Sequence, residues 1–149
     1  MHDQLRLDRQ LCFRLYSASR LLTQAYHPIL SKMGLTYPQY LVLMVLWEKD
    51  GQPVNDIAKR LLLETNTITP LLKRMEAAGL VERRKVHAYE AGDARQVIVS
   101  LTDAGRAIEQ QASCVPEAVG SKVICDAITP ETVPTLYQML DAIIEKLHT

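Results

Sequence analysis

The run Tyr40-Leu41-Val42-Leu43-Met44-Val45-Leu46-Trp47 is apolar on every side when wound as a helix. Such a helix has no face to offer solvent, so it must lie in the middle of a core with other elements packed round it. Its start is marked by Thr36-Tyr37-Pro38-Gln39. There a hydroxyl stands three residues before a glutamine, with proline in the first turn, which is the pattern of a capping box. The spacing predicts a helix over 38–48, followed by a turn at Asp50-Gly51. The rest of the chain has to be arranged to cover this segment.

The flanking segments are amphipathic. Leu11, Leu15, Ala18, Leu22, Ala25 and Ile29 recur at three- and four-residue steps and predict one long helix from Leu5 to about Leu30; Pro28 lies near its end and Gly34 follows, so it stops around Ser31 to Gly34. Residues 53–62 read as a short helix with Val54, Ile57, Ala58 and Leu61 facing inward. A second short helix covers Ile68 to Ala78 and ends at the C-capping Gly79. Pro70 requires that Thr69 be the effective cap of that helix, or that its first turn from Thr65 be irregular. Strands at 80–86 and 96–101 flank a hairpin tip from His87 to Arg95. Thr102-Asp103-Ala104-Gly105 caps a helix running to about Ser113, and Thr129-Pro130-Glu131 opens a last one. That final helix carries an apolar stripe of Val133, Leu136, Leu140, Ile143, Ile144 and Leu147.

Two short helices with a polar connection, followed by a hairpin, make a winged helix-turn-helix. The expected fold is mainly α with a β-hairpin wing. At 149 residues the chain suits a single domain over 1–149. Within it, 36–102 form the winged DNA-binding region, while 1–35 and 103–149 form a helical dimerisation region. The first and last helices carry apolar faces that a monomer of this length would struggle to bury, and pairing them across a two-fold axis makes a homodimer. No stretch approaches the ~20 apolar residues of a membrane helix. The N-terminus lacks the layout of a signal peptide, so a cytoplasmic protein with no membrane partner is expected. Three cysteines in that reducing compartment argue for reactive thiols rather than a disulfide framework.

Formal net charge is zero, yet the charge is not evenly spread. Lys59, Arg60, Lys73, Arg74, Arg83, Arg84 and Lys85 face only Glu64, Glu76 and Glu82 in the middle of the chain, and the segment from Asp103 onward is acidic. A basic middle on a neutral chain is the footprint of a surface that meets phosphate, although ordinary charge scatter on a solvated face gives the same count. Thr65, Asn66, Thr67 and Thr69 at the start of the second short helix have side chains that can reach base edges and phosphates. Lys73, Arg74 and Arg84 add contacts to the DNA backbone. In the hairpin, Asp93 can brace Arg95 for insertion into a narrow minor groove.

The segment 71–81 (LLKRMEAAGLV), with the later Asp93-Ala94-Arg95 and Val99-Ser100-Leu101-Thr102-Asp103-Ala104-Gly105, resembles the MarR family of repressors. Residues 11–20 (LCFRLYSASR) and 34–40 (GLTYPQY) are similar to its organic-hydroperoxide-sensing, OhrR-like branch. The resemblance spans about Leu5 to Gly105, and the hairpin over 85–93 is several residues longer than is usual in that family. It implies a homodimer bound to an inverted-repeat operator in double-stranded DNA, with organic hydroperoxide as inducer, no cofactor and no enzymatic turnover.

Cys12 lies one helical turn from Tyr16, and phenol hydroxyls can donate to a thiolate without adding a competing base. A lone helical cysteine is ordinarily a small packing residue. The resemblance implies instead that Cys12 is the peroxide sensor, approached by Tyr26 and Tyr37 of the partner subunit. It further implies a resolving thiol in the C-terminal half, Cys125 in preference to Cys114, forming an intersubunit disulfide. A MarR-type repressor released by a small aromatic ligand, with Cys12 only packing, is the alternative. A thiol peroxidase is a remote third reading, since no Cys-x-x-Cys pair is present. His2, His27, His87 and His148 lack metal-ligand spacing.

Overall fold

The computed structural model describes residues 1–86 and 96–148. Among the described residues, seven α-helices and three strands follow in the order α1 (Leu11–Leu30), α2 (Tyr37–Glu48), β1 (Gln52–Pro53), α3 (Val54–Arg60), α4 (Thr65–Ala77), β2 (Val81–Val86), β3 (Gln96–Leu101), α5 (Asp103–Ala112), α6 (Val115–Val123) and α7 (Val133–Leu147). The fold is mainly helical with a small antiparallel sheet of order β1-β3-β2, a winged helix as expected. By internal contacts the chain divides into two compact units, Met1–Ser113 and Cys114–Thr149.

The capping box forms as read. Thr36 Oγ1 accepts from Gln39 N at 3.4 Å, and Gln39 Oε1 accepts from Thr36 N at 3.2 Å. The helix it opens supplies Val42, Leu43, Val45 and Leu46 to the core. Round them lie Ile57 and Ala58 of α3, Ile68, Leu71, Leu72 and Met75 of α4, and Val81, Val99 and Leu101 of the hairpin, none more than 6% exposed. Among the described residues no buried side chain is polar or charged, so the interior of this centre is held by hydrophobic burial and its hydrogen bonds lie at the edges.

Three expectations about element boundaries are corrected. The first helix starts at Leu11 rather than Leu5, preceded by 3-10 turns at Asp3–Leu5 and Leu7–Arg9. Side chains there take carbonyls that a longer helix would have bonded through its backbone. Gln10 Nε2 donates to the Gln4 and Arg6 carbonyls at 2.8 Å each, and Arg14 donates to those of Asp8 and Gln10. Next, α4 starts at Thr65 rather than Ile68 and runs through Pro70. Proline inside a helix costs about 3 kcal/mol. The four buried side chains of α4 contribute on the order of 1.5–3 kcal/mol each, which outweighs it. Finally, α7 begins at Val133, because Thr129 and Thr132 hydrogen bond to each other in a turn ahead of it.

Strand β1 was not expected. It pairs Gln52 with Val99 and Pro53 with Ile98, held by the Asp50 carboxylate, whose Oδ1 accepts from Gly51 N and Leu101 N at 2.8 Å each. Beside it, Arg106 Nη2 reaches Asp50 Oδ2 at 3.2 Å, and Trp47 Nε1 donates to the Gly105 carbonyl at 3.0 Å. Gly105 packs directly onto the end of the hairpin. A Cβ on this residue would overlap the Leu80 carbonyl oxygen and come within 3.2 Å of Leu101 Cδ2.

Helices at the two ends of the chain are poorly covered. Of its 20 residues α1 buries only Leu30, and α7 buries none. Leu11, Phe13, Tyr16, Leu21 and Leu22 of α1, and Tyr137, Met139, Ile144 and Leu147 of α7, are exposed. Among the described residues no single helix is long and apolar enough to cross a membrane.

Gly105→Ala is expected to destabilise the protein by about 1–3 kcal/mol, the usual cost of forcing an added methyl against backbone. Chemical denaturation would show a lower midpoint with an unchanged slope; an unshifted midpoint would refute the close approach.

Candidate functional site

Helix α4 has a closed face and an open one. Ile68, Leu71, Leu72 and Met75 are buried, while Thr65, Asn66, Thr67, Lys73 and Arg74 are exposed and Thr69 is half-buried. At about 100° per residue, Asn66, Thr69 and Lys73 fall within about 60° of one another on the open side. Thr65 and Thr67 flank them at the start of the helix. No side chain caps α4; the Glu64 carbonyl instead accepts from Thr67 N at 3.0 Å and Ile68 N at 3.1 Å. Thr69 Oγ1 donates to the Thr65 carbonyl at 2.8 Å. An exposed helix start with this polar stripe favours anionic groups.

The base of the wing is clipped to this helix. Glu76 of α4 accepts from Arg83 of β2 three times: from the backbone N at 2.9 Å, Nη2 at 3.1 Å and Nε at 3.3 Å. The Arg83 backbone N–H and guanidinium hold the Glu76 carboxyl below the usual carboxylate range. Arg83 is therefore engaged, whereas Arg84, the next residue along the strand, is exposed and opposite Ile98 in the ladder. Between α3, α4 and the wing base lies a cleft of about 170 Å³ bordered by Asn55, Thr65, Thr69, Arg83 and Gln96. Asp93, Arg95 and the long hairpin tip lie outside the described residues.

The three cysteines form no disulfide, and each is exposed. Cys12 is the second residue of α1, so the later helix start moves it from mid-helix into the first turn. Tyr16 is 65% exposed on the same helix. Tyr26 and Tyr37 meet with ring centroids 4.8 Å apart and planes inclined at 51°, and Tyr40 lies 5.9 Å from Tyr26 and 6.3 Å from Tyr37. Burial, then the neighbouring Tyr26, raises the pKa of Tyr37; the same causes together with Tyr37 raise that of Tyr40. These phenols thus stay protonated donors well into alkaline pH. Fourteen residues of helix separate Cys12 from Tyr26, about 21 Å at 1.5 Å per residue. Within one chain these tyrosines and that thiol do not meet.

The sequence reading missed Asn55 and Tyr40. Asn55 Oδ1 accepts from Thr65 Oγ1 at 3.3 Å, and nothing in its local sequence marks it. Tyr40 was counted only as core, although its place one turn after Tyr37 predicts the ring contact. Cys114 caps the start of α6 and Cys125 follows its end. Among the described residues no group of three or more His, Cys, Asp or Glu could hold a metal ion.

The family described as transcriptional regulator SarA/Rot matches residues 24–112. The organic hydroperoxide resistance transcriptional regulator of Bacillus subtilis is 38% identical over 146 residues, covering 98% of this chain and 95% of its own. The HTH-type transcriptional regulator TtmR of Methylorubrum extorquens is 48% identical over 118 residues. That match covers 79% of this chain but only 58% of TtmR, so the chain spans little more than half of that relative. Among solved structures, AbfR of Staphylococcus epidermidis is similar in several states. The reduced, DNA-bound form superposes with a TM-score of 0.75 at 39% identity, covering 99% of each chain. Its disulfide form gives 0.62 at 42% identity, covering 95% of each.

The Glu76–Arg83 clip should make stability depend on acid. Because the folded protein depresses the Glu76 pKa, its contribution is complete above the ordinary glutamate pKa of 4.5 and disappears as pH falls through the depressed value. Wild-type protein should exceed Glu76→Gln in denaturation midpoint at neutral pH, and the margin should close on acidification. A margin that stays constant with pH would count against the clip.

Proposed function

The chain belongs to the SarA/Rot family of transcriptional regulators, of MarR type, and from that membership we propose that it is a homodimeric repressor released from its operator when organic hydroperoxide oxidises Cys12. One observation carries the DNA-reading half: α4 buries one face completely and presents Thr65, Asn66, Thr67, Thr69, Lys73 and Arg74 on the other. A rigid helix with short polar side chains at its start and cations further along suits a major groove. Lys73, Arg74 and Arg84 meet phosphates, Thr65, Asn66, Thr67 and Thr69 meet base edges, and Asp93 braces Arg95 in the adjacent minor groove. We assign 36–102 to DNA reading and 1–35 with 103–149 to pairing. A two-fold dimer then sets two copies of α4 on an inverted repeat in double-stranded DNA.

The exposed apolar residues of α1 and α7 support the pairing. So does the separation of Cys12 from the tyrosines, because only a second copy can bring Tyr26 and Tyr37 to the thiol. Cys12 lies in the first turn of α1 and reacts as its thiolate. It attacks one oxygen of the hydroperoxide, the O–O bond breaks, and the departing alkoxide takes a proton to leave as the alcohol, with Cys12 now a sulfenic acid. The thiol of Cys125 in the second copy then displaces hydroxide as water and forms an intersubunit disulfide; Cys114 is the less favoured resolver. In this reading the chain acts as a switch rather than an enzyme. The names of the B. subtilis relative and of the reduced, DNA-bound and disulfide forms of AbfR fit this reading.

Lys73→Ala removes one phosphate contact from each subunit, so it should weaken binding evenly across operator sequences and lower the slope of log affinity against log salt by about 2 per dimer, read by mobility shift over a salt series. An unchanged slope would remove Lys73 from the phosphate contacts.

Wild-type protein should leave DNA on hydroperoxide treatment, whereas Cys12→Ser should stay bound. Release of Cys12→Ser by oxidant sinks the switch, and release by an aromatic ligand alone selects the ligand-triggered reading. On non-reducing electrophoresis, the oxidised dimer band should vanish in Cys125→Ser and persist in Cys114→Ser.

A further inference from the structure

We infer that Asn55 fixes the hydrogen-bonding polarity of Thr65, so that Thr65 selects a base bearing an amino group at one position of each half-site. The inference rests on the DNA-reading role proposed above and deepens it.

Asn55 is the second residue of α3 and Thr65 the first of α4, and both are exposed beside the cleft at the wing base. Thr65 Oγ1 donates to Asn55 Oδ1 at 3.3 Å. A hydroxyl has a single proton to give. With that proton committed to Asn55, Thr65 turns only its lone pairs outward. In the major groove the groups that can bond to a lone pair are the amino groups of adenine and cytosine, whereas guanine and thymine present acceptors. An unconstrained threonine rotates to serve either kind, which is why hydroxyls usually discriminate poorly. The neighbouring carbonyl removes that freedom. Asn55 Nδ2 keeps both its protons available for a phosphate oxygen, so one side chain sets base preference through Thr65 and adds backbone affinity itself. Thr69 commits its proton too, but to the Thr65 carbonyl within its own helix, so its polarity does not depend on Asn55.

The test begins by selecting duplexes from a randomised pool with the wild-type protein, then scoring all four bases at each position by mobility shift. The position that Thr65 reads in each half-site should favour adenine or cytosine on the strand facing it by about tenfold, the worth of one good base contact. Thr65→Val, which keeps the shape and removes the hydroxyl, identifies that position by flattening it. Asn55→Ala should flatten the same position and no other, with an unchanged melting temperature. Asn55→Asp keeps the acceptor and adds a charge that repels phosphate, so it should bind more weakly overall with the preference intact. This split between affinity and preference is one that a merely structural role would not produce. Preference for guanine or thymine there, or a profile unmoved by Asn55→Ala, overturns the inference. If the wild-type protein selects no duplex at all, the DNA-reading role falls and the inference falls with it.

Discussion

Most of the described architecture of the first unit depends on how closely Gly105 approaches the carbonyl of Leu80. No side chain could occupy that space. The same carbonyl accepts from Thr102 N at 3.1 Å, while Thr102 Oγ1 donates to the Gly79 carbonyl at 2.6 Å and accepts from Gly105 N at 3.1 Å. The end of α4, the start of the wing and the start of α5 are joined here within four residues on each side. Trp47 ties in the central helix through the Gly105 carbonyl, and Asp50 ties in β1 and β3. Backbone groups that element ends would otherwise leave without partners are thus used to orient the elements against one another.

That orientation gives the polar stripe of α4 its use. A helix with a proline in its second turn and no side-chain cap would be marginal alone. Four buried side chains and the Glu76–Arg83 clip hold it against the core and the wing, so its exposed side is presented by a fixed support. The cost of order is met on the buried face, and the open face can be chosen for recognition.

The terminal helices show the opposite condition. Their sequences are as amphipathic as that of α4, yet α7 buries nothing and α1 buries one residue. Exposed Leu, Phe, Tyr, Met and Ile side chains at helical spacing are expensive to leave in water. The tyrosine group lies far from the thiol: Tyr26 is some four helical turns from Cys12 along α1, and Tyr37 and Tyr40 of α2 gather round Tyr26.

Periodicity and local chemistry made much of this legible. The apolar run over 40–47 set the centre, Thr36 and Gln39 set the helix start, and Gly34 and Gly79 took the left-handed φ of +70° and +76° that ends helices. The stripe of α4 was readable because its residues lie close in sequence. Other features depend on contacts between distant segments. Pro70 argued locally for a later helix start, and only the burial of Ile68, Leu71, Leu72 and Met75 overrode it. Strand β1 has two residues and no period, and it exists because Asp50 and β3 hold it. Asn55 became part of the site through one hydrogen bond across the helix-turn-helix. Which faces are apolar, and the ends marked by Thr36, Gly34 and Gly79, follow from neighbours three or four residues away and were legible before any contact between segments was known. Tertiary structure alone decided that Tyr26, Tyr37 and Tyr40 form one group and that Thr65 gives its proton to Asn55. Side chains from separate segments meet only when the core has brought them together.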